Sequence, residues 1–343
     1  MTDIGHGEPY SPLTPTEATL SMLRLIVVPL DGSPFGEQAL PLAIRIAERQ
    51  RAELELVHVY ETIMPFAVQG APPFDPALDA DLRKDRRAYL DSVAQWAGHN
   101  TSARVTATIL SGDGVAETLA QHLAERHADL AVMATHGRGG LTRIWIGSVA
   151  NDLVRRADAP ILLVRPAEKE SRETPAPPFR HALLPLDGTP ADEDAIEDAM
   201  AVAGDAGVEF VLLHVIVPVV YLAEPVQTAL LTETALEAAM AQYLEEIASR
   251  IRARGFSVST QAIADPSPVH AILELANARG VDLIAMETHA RRGVSRLLLG
   301  SVTDKVIRAT KVPVLVHRRR VSAEQSATAA SGAGATTTAT RRF

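Results

Sequence analysis

The sequence predicts two similar α/β domains, each a doubly wound, mainly parallel sandwich of five strands, and three observations lead there. A domain-sized segment occurs twice, each copy alternates short β-branched runs with amphipathic stretches, and 343 residues is the length of about two domains. RLIVVPLDG at Arg24 to Gly32 matches HALLPLDG at His181 to Gly188, which sets Asp31 and Asp187 156 positions apart. LELVHV ending at Val59 and FVLLHV ending at Val215 share that offset. THGRGGLTRIWIGSV from Thr135 matches THARRGVSRLLLGSV from Thr288 at an offset of 153, as Pro160-Ile161-Leu162 matches Pro313-Val314-Leu315. The unit is too long for a solenoid repeat and has the size of a whole domain.

Each element of the first copy has its own signal. Leu25 to Leu30 reads as a buried strand, and Glu37 to Arg49 as a helix, because Leu40, Ala43 and Ala47 recur at helical spacing. A strand follows at Leu54 to Val59. The clearest helix runs from Asp79 to Ala97, where Leu82, Tyr89, Val93 and Trp96 share a face; its counterpart carries Leu236, Met240, Leu244, Ile247 and Ile251. Strands are expected at Val105 to Leu110, Leu130 to Ala134 and Ile161 to Val164, with helices at Val115 to Glu125 and Val149 to Arg156 between them. Such alternation implies right-handed crossovers and a parallel sheet covered on both faces. Domain boundaries are placed at 22–166 and 179–318, joined by a charged, proline-rich linker at 167–178. Residues 1–21 and the low-complexity 319–343 are expected to be disordered tails.

Composition narrows the function. Lys and Arg total 33 against 42 for Asp and Glu, a net charge of -9 that argues against nucleic acid or an anionic membrane surface as partner. Without cysteine, disulfides, Cys-ligated zinc, iron–sulfur clusters and thiol catalysis are excluded. The longest apolar stretch, Phe210 to Ala223, is interrupted by His214 and Pro218 and falls short of the ~18 residues of a membrane span, so it reads as a strand leaving into a loop. The first residues show no basic segment followed by an apolar run, so no secretory signal is expected. The expected location is the cytoplasm.

A doubly wound sheet binds ligands beyond the carboxyl ends of its strands, where strand order reverses. That rule selects Asp31, Val59, Gly112 to Gly114 and the segment from Ala134 to Gly147. In the last, THGRGG follows a strand and Gly147-Ser148 opens a helix, an arrangement suited to phosphate, with Arg138 and Arg143 adding charge. By spacing alone it is equally a tight strand–helix connection. No P-loop, G-x-G-x-x-G, H-E-x-x-H or G-x-S-x-G pattern occurs. His136 and His289 lack an identifiable nucleophile or acid partner and read as turn residues; His58 and His214 read as core or sheet-edge residues. Neither a catalytic residue nor a metal site is assigned.

The ordered set PLDG, LVHV, SGD and THGRGG…GSV resembles a tandem universal stress protein over roughly residues 22–166 and 179–318. The resemblance implies an adenine-nucleotide-alpha-hydrolase-like fold that binds ATP, with Mg2+ able to arrive alongside it. ATP-binding members carry G-x2-G-x9-G-[ST], which falls here on Ala134, Gly137, Gly147 and Ser148, with alanine replacing the first glycine. By similarity Pro29 and Asp31 line the adenine and ribose end, Val59 meets adenine through its backbone, and Ala134, His136, Gly137, Arg138 and Gly140 wrap ribose and phosphates. Gly147, Ser148, Val149 and Ala150 form the phosphate-binding helix start. Plainer readings stand beside these: Asp31 as a helix cap, Val59 as core, Ser148 as an N-cap. The second site, built from Pro185, Asp187, Val215, Gly300, Ser301 and Val302, is expected to be weaker because Glu287 and Ala290 replace both leading glycines. The function implied is an ATP-binding regulatory protein of the stress response, with nucleotide mainly in domain 1. The alternatives are an interaction scaffold without nucleotide, and a slow ATPase or autophosphorylating protein. The family also implies self-association through the final strands, as an internal pseudo-dimer and as a homodimer.

Overall fold

The computed structural model describes residues 22–61, 75–135, 146–167, 171–189, 192–204, 207–218, 226–288 and 299–318. Both expected tails lie outside them. The first half runs β1 (Leu25–Pro29), α1 (Pro34–Glu37), α2 (Leu40–Gln50), β2 (Glu53–Tyr60), α3 (Pro76–His99), β3 (Val105–Ser111), α4 (Val115–Glu125), β4 (Leu130–Ala134), α5 (Ser148–Arg156) and β5 (Ile161–Val164). The second half continues β6 (His181–Pro185), α6 (Asp192–Ala203), β7 (Glu209–Ile216), α7 (Val226–Ala253), β8 (Ser257–Ala264), α8 (Pro268–Ala278), β9 (Leu283–Thr288), α9 (Ser301–Ala309) and β10 (Val314–Arg318). All ten strands form one sheet in the order β3-β2-β1-β4-β5-β10-β9-β6-β7-β8. Every neighbouring pair is parallel except β5 with β10, where Leu163, Leu162 and Ile161 face Val314, Leu315 and Val316 antiparallel.

Strand alternation sends successive side chains into two layers. Leu54 and Leu56 enter an apolar layer that runs on to Leu184, Phe210 and Leu244 of the second half, while Val57 enters the other. One carboxylate is buried within β2: Glu55, 3% exposed, accepts from Thr108 Oγ1 at 2.7 Å and Arg126 Nε at 3.2 Å, and lies 3.2 Å from His122 Nε2. The offset places Val211 at the equivalent position of the second half.

Two expectations need correction. The helix predicted from Glu37 to Arg49 is two helices, because Pro41, at the second position of α2, has no N–H to give the carbonyl of Glu37. Leu236, placed on the apolar stripe of α7, is 44% exposed, and among the described side chains of that helix the first fully buried one is Leu244. A 28-residue helix is about 42 Å long, whereas the eight-residue strands β7 and β8 reach about 26 Å, so α7 outruns the sheet it packs on.

The halves are also tied by side chains. Arg165 donates to the carbonyls of Arg308 at 3.2 Å and Thr310 at 2.8 Å, closing the carboxyl end of α9. Arg49 and Gln50 both donate to the Ala201 carbonyl, Gln50 at 2.6 Å. The segment between the domains returns to the first half. Gln38 clamps Ala167 through its carbonyl at 2.9 Å and its amide at 2.8 Å, and Arg172 pairs with Glu37 at 3.0 Å while stacking on Trp96.

Candidate functional site

In each half the strand order reverses beside the first strand, and there the sheet opens. β1 pairs with β4 only at Ile26–Leu130 and Val27–Ala131, and β6 with β9 only at Ala182–Leu283 and Leu183–Ile284. Beyond those rungs the paired strands part toward their carboxyl ends, leaving a crevice at the switch point.

Asp31 stands at the mouth of the first crevice, after β1 ends at Pro29. Its Oδ1 accepts from Ser33 N at 2.9 Å and Ser33 Oγ at 2.7 Å, and Ser33 in turn accepts from Gly36 N at 3.1 Å. The cap of α1 is therefore Ser33, and Asp31 braces it. The turn between them needs Gly32, at φ +85°; Gly188 repeats that angle in the second half. There Asp187 is exposed and accepts Thr189 N at 3.0 Å.

Val59 reaches the crevice through its backbone. Leu30 N donates to Val57 O at 2.8 Å, so Val57 turns its peptide groups toward β1. Two residues on, Val59 turns its own N–H and C=O to the same edge, where β1 has ended. The side chain is partly buried against the core, so the core reading and the backbone reading describe different atoms of one residue.

The third wall is the start of α5. Gly147 N donates to Thr135 O at 2.7 Å, and a Cβ at Gly147 would lie 2.9 Å from that oxygen, so only glycine lets the helix start press on the end of β4. Gly147 is the N-cap, without a side-chain hydrogen bond. Ser148 is thus the first helical residue and not the cap. It is exposed, Val149 is half-buried and Ala150 is buried. The helices α1, α3 and α8 are capped by Ser33, Asp75 and Ser267, whereas α5 and α9, like α2 and α4, start without a side-chain cap; of these four, α5 and α9 are the ones that follow the switch-point strands β4 and β9. Ala134 is 9% exposed at the end of β4. His136, Gly137, Arg138 and Gly140 lie outside the described residues, as do Arg143 and His289 to Arg292.

The second crevice has a different floor. Pro185 ends β6, Val215 turns its backbone outward as Val59 does, and Gly300, Ser301 and Val302 open α9. Glu287 is 8% exposed and shares the face of Leu283 and Ala285. Its carboxylate is therefore on the α6 side of β9. His317 stands opposite Glu287 in register, with Nδ1 2.5 Å from Asp198 Oδ2 and Nε2 3.8 Å from Asp194. Burial pushes the imidazole toward neutrality, but the Asp198 bond and the charges of Asp198, Asp194 and Glu287 outweigh it and raise its pKa. The offsets place Ala134, Val164, Leu42 and Gln38 at the equivalent positions of the first half.

Among the described residues no group of three or more His, Asp or Glu side chains is arranged to hold a metal, and no helix is long and apolar enough to cross a membrane. An open cleft of about 460 Å³ beside His181, Glu209 and Ser257 lies at the amino ends of β6 to β8, the opposite end from the crevice.

The universal stress protein family matches residues 22–165 and 178–318. A universal stress protein of Mycolicibacterium smegmatis is 28% identical over 300 residues, covering 86% of this chain and 97% of its own. One from Mycobacterium tuberculosis is 26% identical over 315 residues, covering 85% and 94%. The crystal structure of a universal stress protein from Archaeoglobus fulgidus superposes with a TM-score of 0.62 at 20% identity, covering 87% of this chain and 97% of that one, a likeness of fold. Two matched segments, two crevices and one shared sheet make this chain a member of the universal stress protein family, with its domain present twice.

Proposed function

We propose that the chain is an ATP-binding regulatory protein of the stress response, acting in the cytoplasm and holding nucleotide mainly in its first half. The observation that supports this most is the meeting, at one switch point, of a strand edge left open at Val59 and a helix start left uncapped at Ser148. A backbone N–H beside a C=O complements the acceptor and donor on the edge of adenine. Asp31 accepts ribose hydroxyls near Pro29, and the amides of Ser148, Val149 and Ala150 with the Ser148 hydroxyl take the phosphates. By similarity His136, Gly137, Arg138 and Gly140 are assigned to the ribose and phosphates, and a Mg2+ accompanying the nucleotide would offset part of the phosphate charge. The sequence identifies no general base for a γ-phosphate, so the reading is one of binding, with occupancy biasing a partner surface. The second site, at Pro185, Asp187, Val215, Gly300, Ser301 and Val302, binds more weakly. Its floor carries Glu287, Asp194 and Asp198 against a single His317, where the equivalent residues of the first half, Ala134, Gln38, Leu42 and Val164, are uncharged.

Titration of the full chain with ATP tests the reading. One ATP per chain is expected at the tighter site, with affinity falling roughly tenfold in Asp31→Ala and holding in Asp187→Ala. Equal loss in both variants refutes the asymmetry. No binding to the wild type refutes the nucleotide reading and leaves the interaction scaffold.

A further inference from the structure

We infer that His58 is a positioning residue: its imidazole stops the β1–β2 ladder one rung early and so keeps the Val59 amide open to a base. The inference deepens the adenine reading above and rests on it for the ligand. The last rung between these strands is Leu30 N to Val57 O, at 2.8 Å. In a parallel ladder the next rung runs from Val59 N–H to Leu30 C=O. Among the described residues no backbone bond makes that rung, and pairing ends at Pro29 with Val57. His58 Nδ1 instead lies 2.7 Å from Leu30 O. A carbonyl only accepts, so Nδ1 carries the hydrogen, and the acceptor that Val59 would use is engaged from the side.

The imidazole is held for this. His58 is 6% exposed, on the face of β2 that carries Leu54 and Leu56, and its ring meets Tyr89 of α3 edge-on at 6.4 Å. Tyr89 is itself fixed by donating to Glu37 at 3.0 Å. The second half repeats the stop. Leu186 N donates to Leu213 O at 2.8 Å, pairing ends at Pro185 with Leu213, and His214 Nδ1 lies 2.9 Å from Leu186 O. The same side-chain type at the same rung, with the same missing backbone bond in both halves, is why the imidazole, and not a local accident of the chain, is assigned the stop.

Amide exchange resolved by NMR on the ligand-free full chain tests the stop without any nucleotide. Val59 N–H is expected to exchange at least tenfold faster than Val57 N–H in the wild type, to become protected in His58→Val as the rung closes, and to reopen in His58→Asn, whose side-chain amide stands near the place of Nδ1. ATP affinity, measured in parallel, should fall roughly tenfold in His58→Val and recover in His58→Asn. Protection of Val59 equal to Val57 in the wild type overturns the assignment, and that arm decides even if His58→Val does not fold. A rung that closes without any loss of ATP affinity overturns the link to the base. Failure of the wild type to bind ATP sinks the nucleotide reading, while the exchange rates still decide the ladder stop.

Discussion

Gly36→Ala probes the brace around Asp31 without touching the carboxylate itself. A Cβ at Gly36 would sit 2.6 Å from Asp31 Oδ1 and 3.5 Å from Ser33 Oγ. The clash is with the end of a short side chain, so Asp31 swings away and the backbone of α1 stays. Swinging away breaks the bonds that Oδ1 accepts from Ser33 N and Ser33 Oγ, at 2.9 and 2.7 Å. Bonds to a charged acceptor are worth about 1.5–3 kcal/mol each when buried, and about 1 kcal/mol each is reasonable for this half-exposed group. Alanine in place of glycine in a helix returns about 0.5–1 kcal/mol. The loss wins, and the variant should be less stable by about 1 kcal/mol. The check is urea unfolding, with a lower midpoint at unchanged slope, alongside an ATP titration showing weaker binding. A variant more stable than the wild type by the helix gain alone, with ATP affinity intact, would show that Asp31 is not braced as described.

Two further perturbations address other parts of the molecule. Burial pushes the Glu55 carboxyl up, but the Thr108 bond and the charges and bond of His122 and Arg126 outweigh it and hold the pKa below its ordinary value. The lowered folded-state pKa means that Glu55 stabilises fully above the unfolded carboxylate range and loses this as pH falls through the folded value. Glu55→Gln should therefore cost about 1–3 kcal/mol at pH 7, and its gap from the wild type should close below about pH 4; unfolding curves at pH 7 and pH 3 with the same gap would contradict this. Arg165→Ala removes two donors from the end of α9 and should lower stability by about 1–2 kcal/mol, with Arg165→Lys restoring part of it. An unfolding midpoint equal to the wild type would mean that this contact contributes nothing to the junction.

Strand positions were legible because a buried parallel strand leaves a continuous apolar run, and the repeat paired the elements of one half with their counterparts in the other. What the sequence hid depends on register. The His58 imidazole fills a rung only because Leu30 falls opposite it, which no one-dimensional pattern shows; the recurrence of His214 at the same offset was the available signal. Glu55 inside an apolar run, with Val211 at the equivalent position, was the visible sign of its buried pair, but His122 and Arg126 lie far along the chain. The break before α2 was written in Pro41 and was overridden by the Leu40, Ala43 and Ala47 spacing. Arg172 looked like linker charge because its partners Glu37 and Trp96 come from elements far back in the first half.

The antiparallel rungs between β5 and β10 join two copies that share one covalent chain. Their meeting is intramolecular, so its strength does not vary with protein concentration as a dimer's would. In a symmetric dimer every substitution is made twice, once on each side of the axis. Here each side changes alone, which is how Glu287 and His317 can occupy one crevice while the uncharged Ala134 and Val164 hold the same positions in the other. The same seam leaves β3 and β8 as the outer edges of the ten-stranded sheet, so any further growth of the sheet has to begin there.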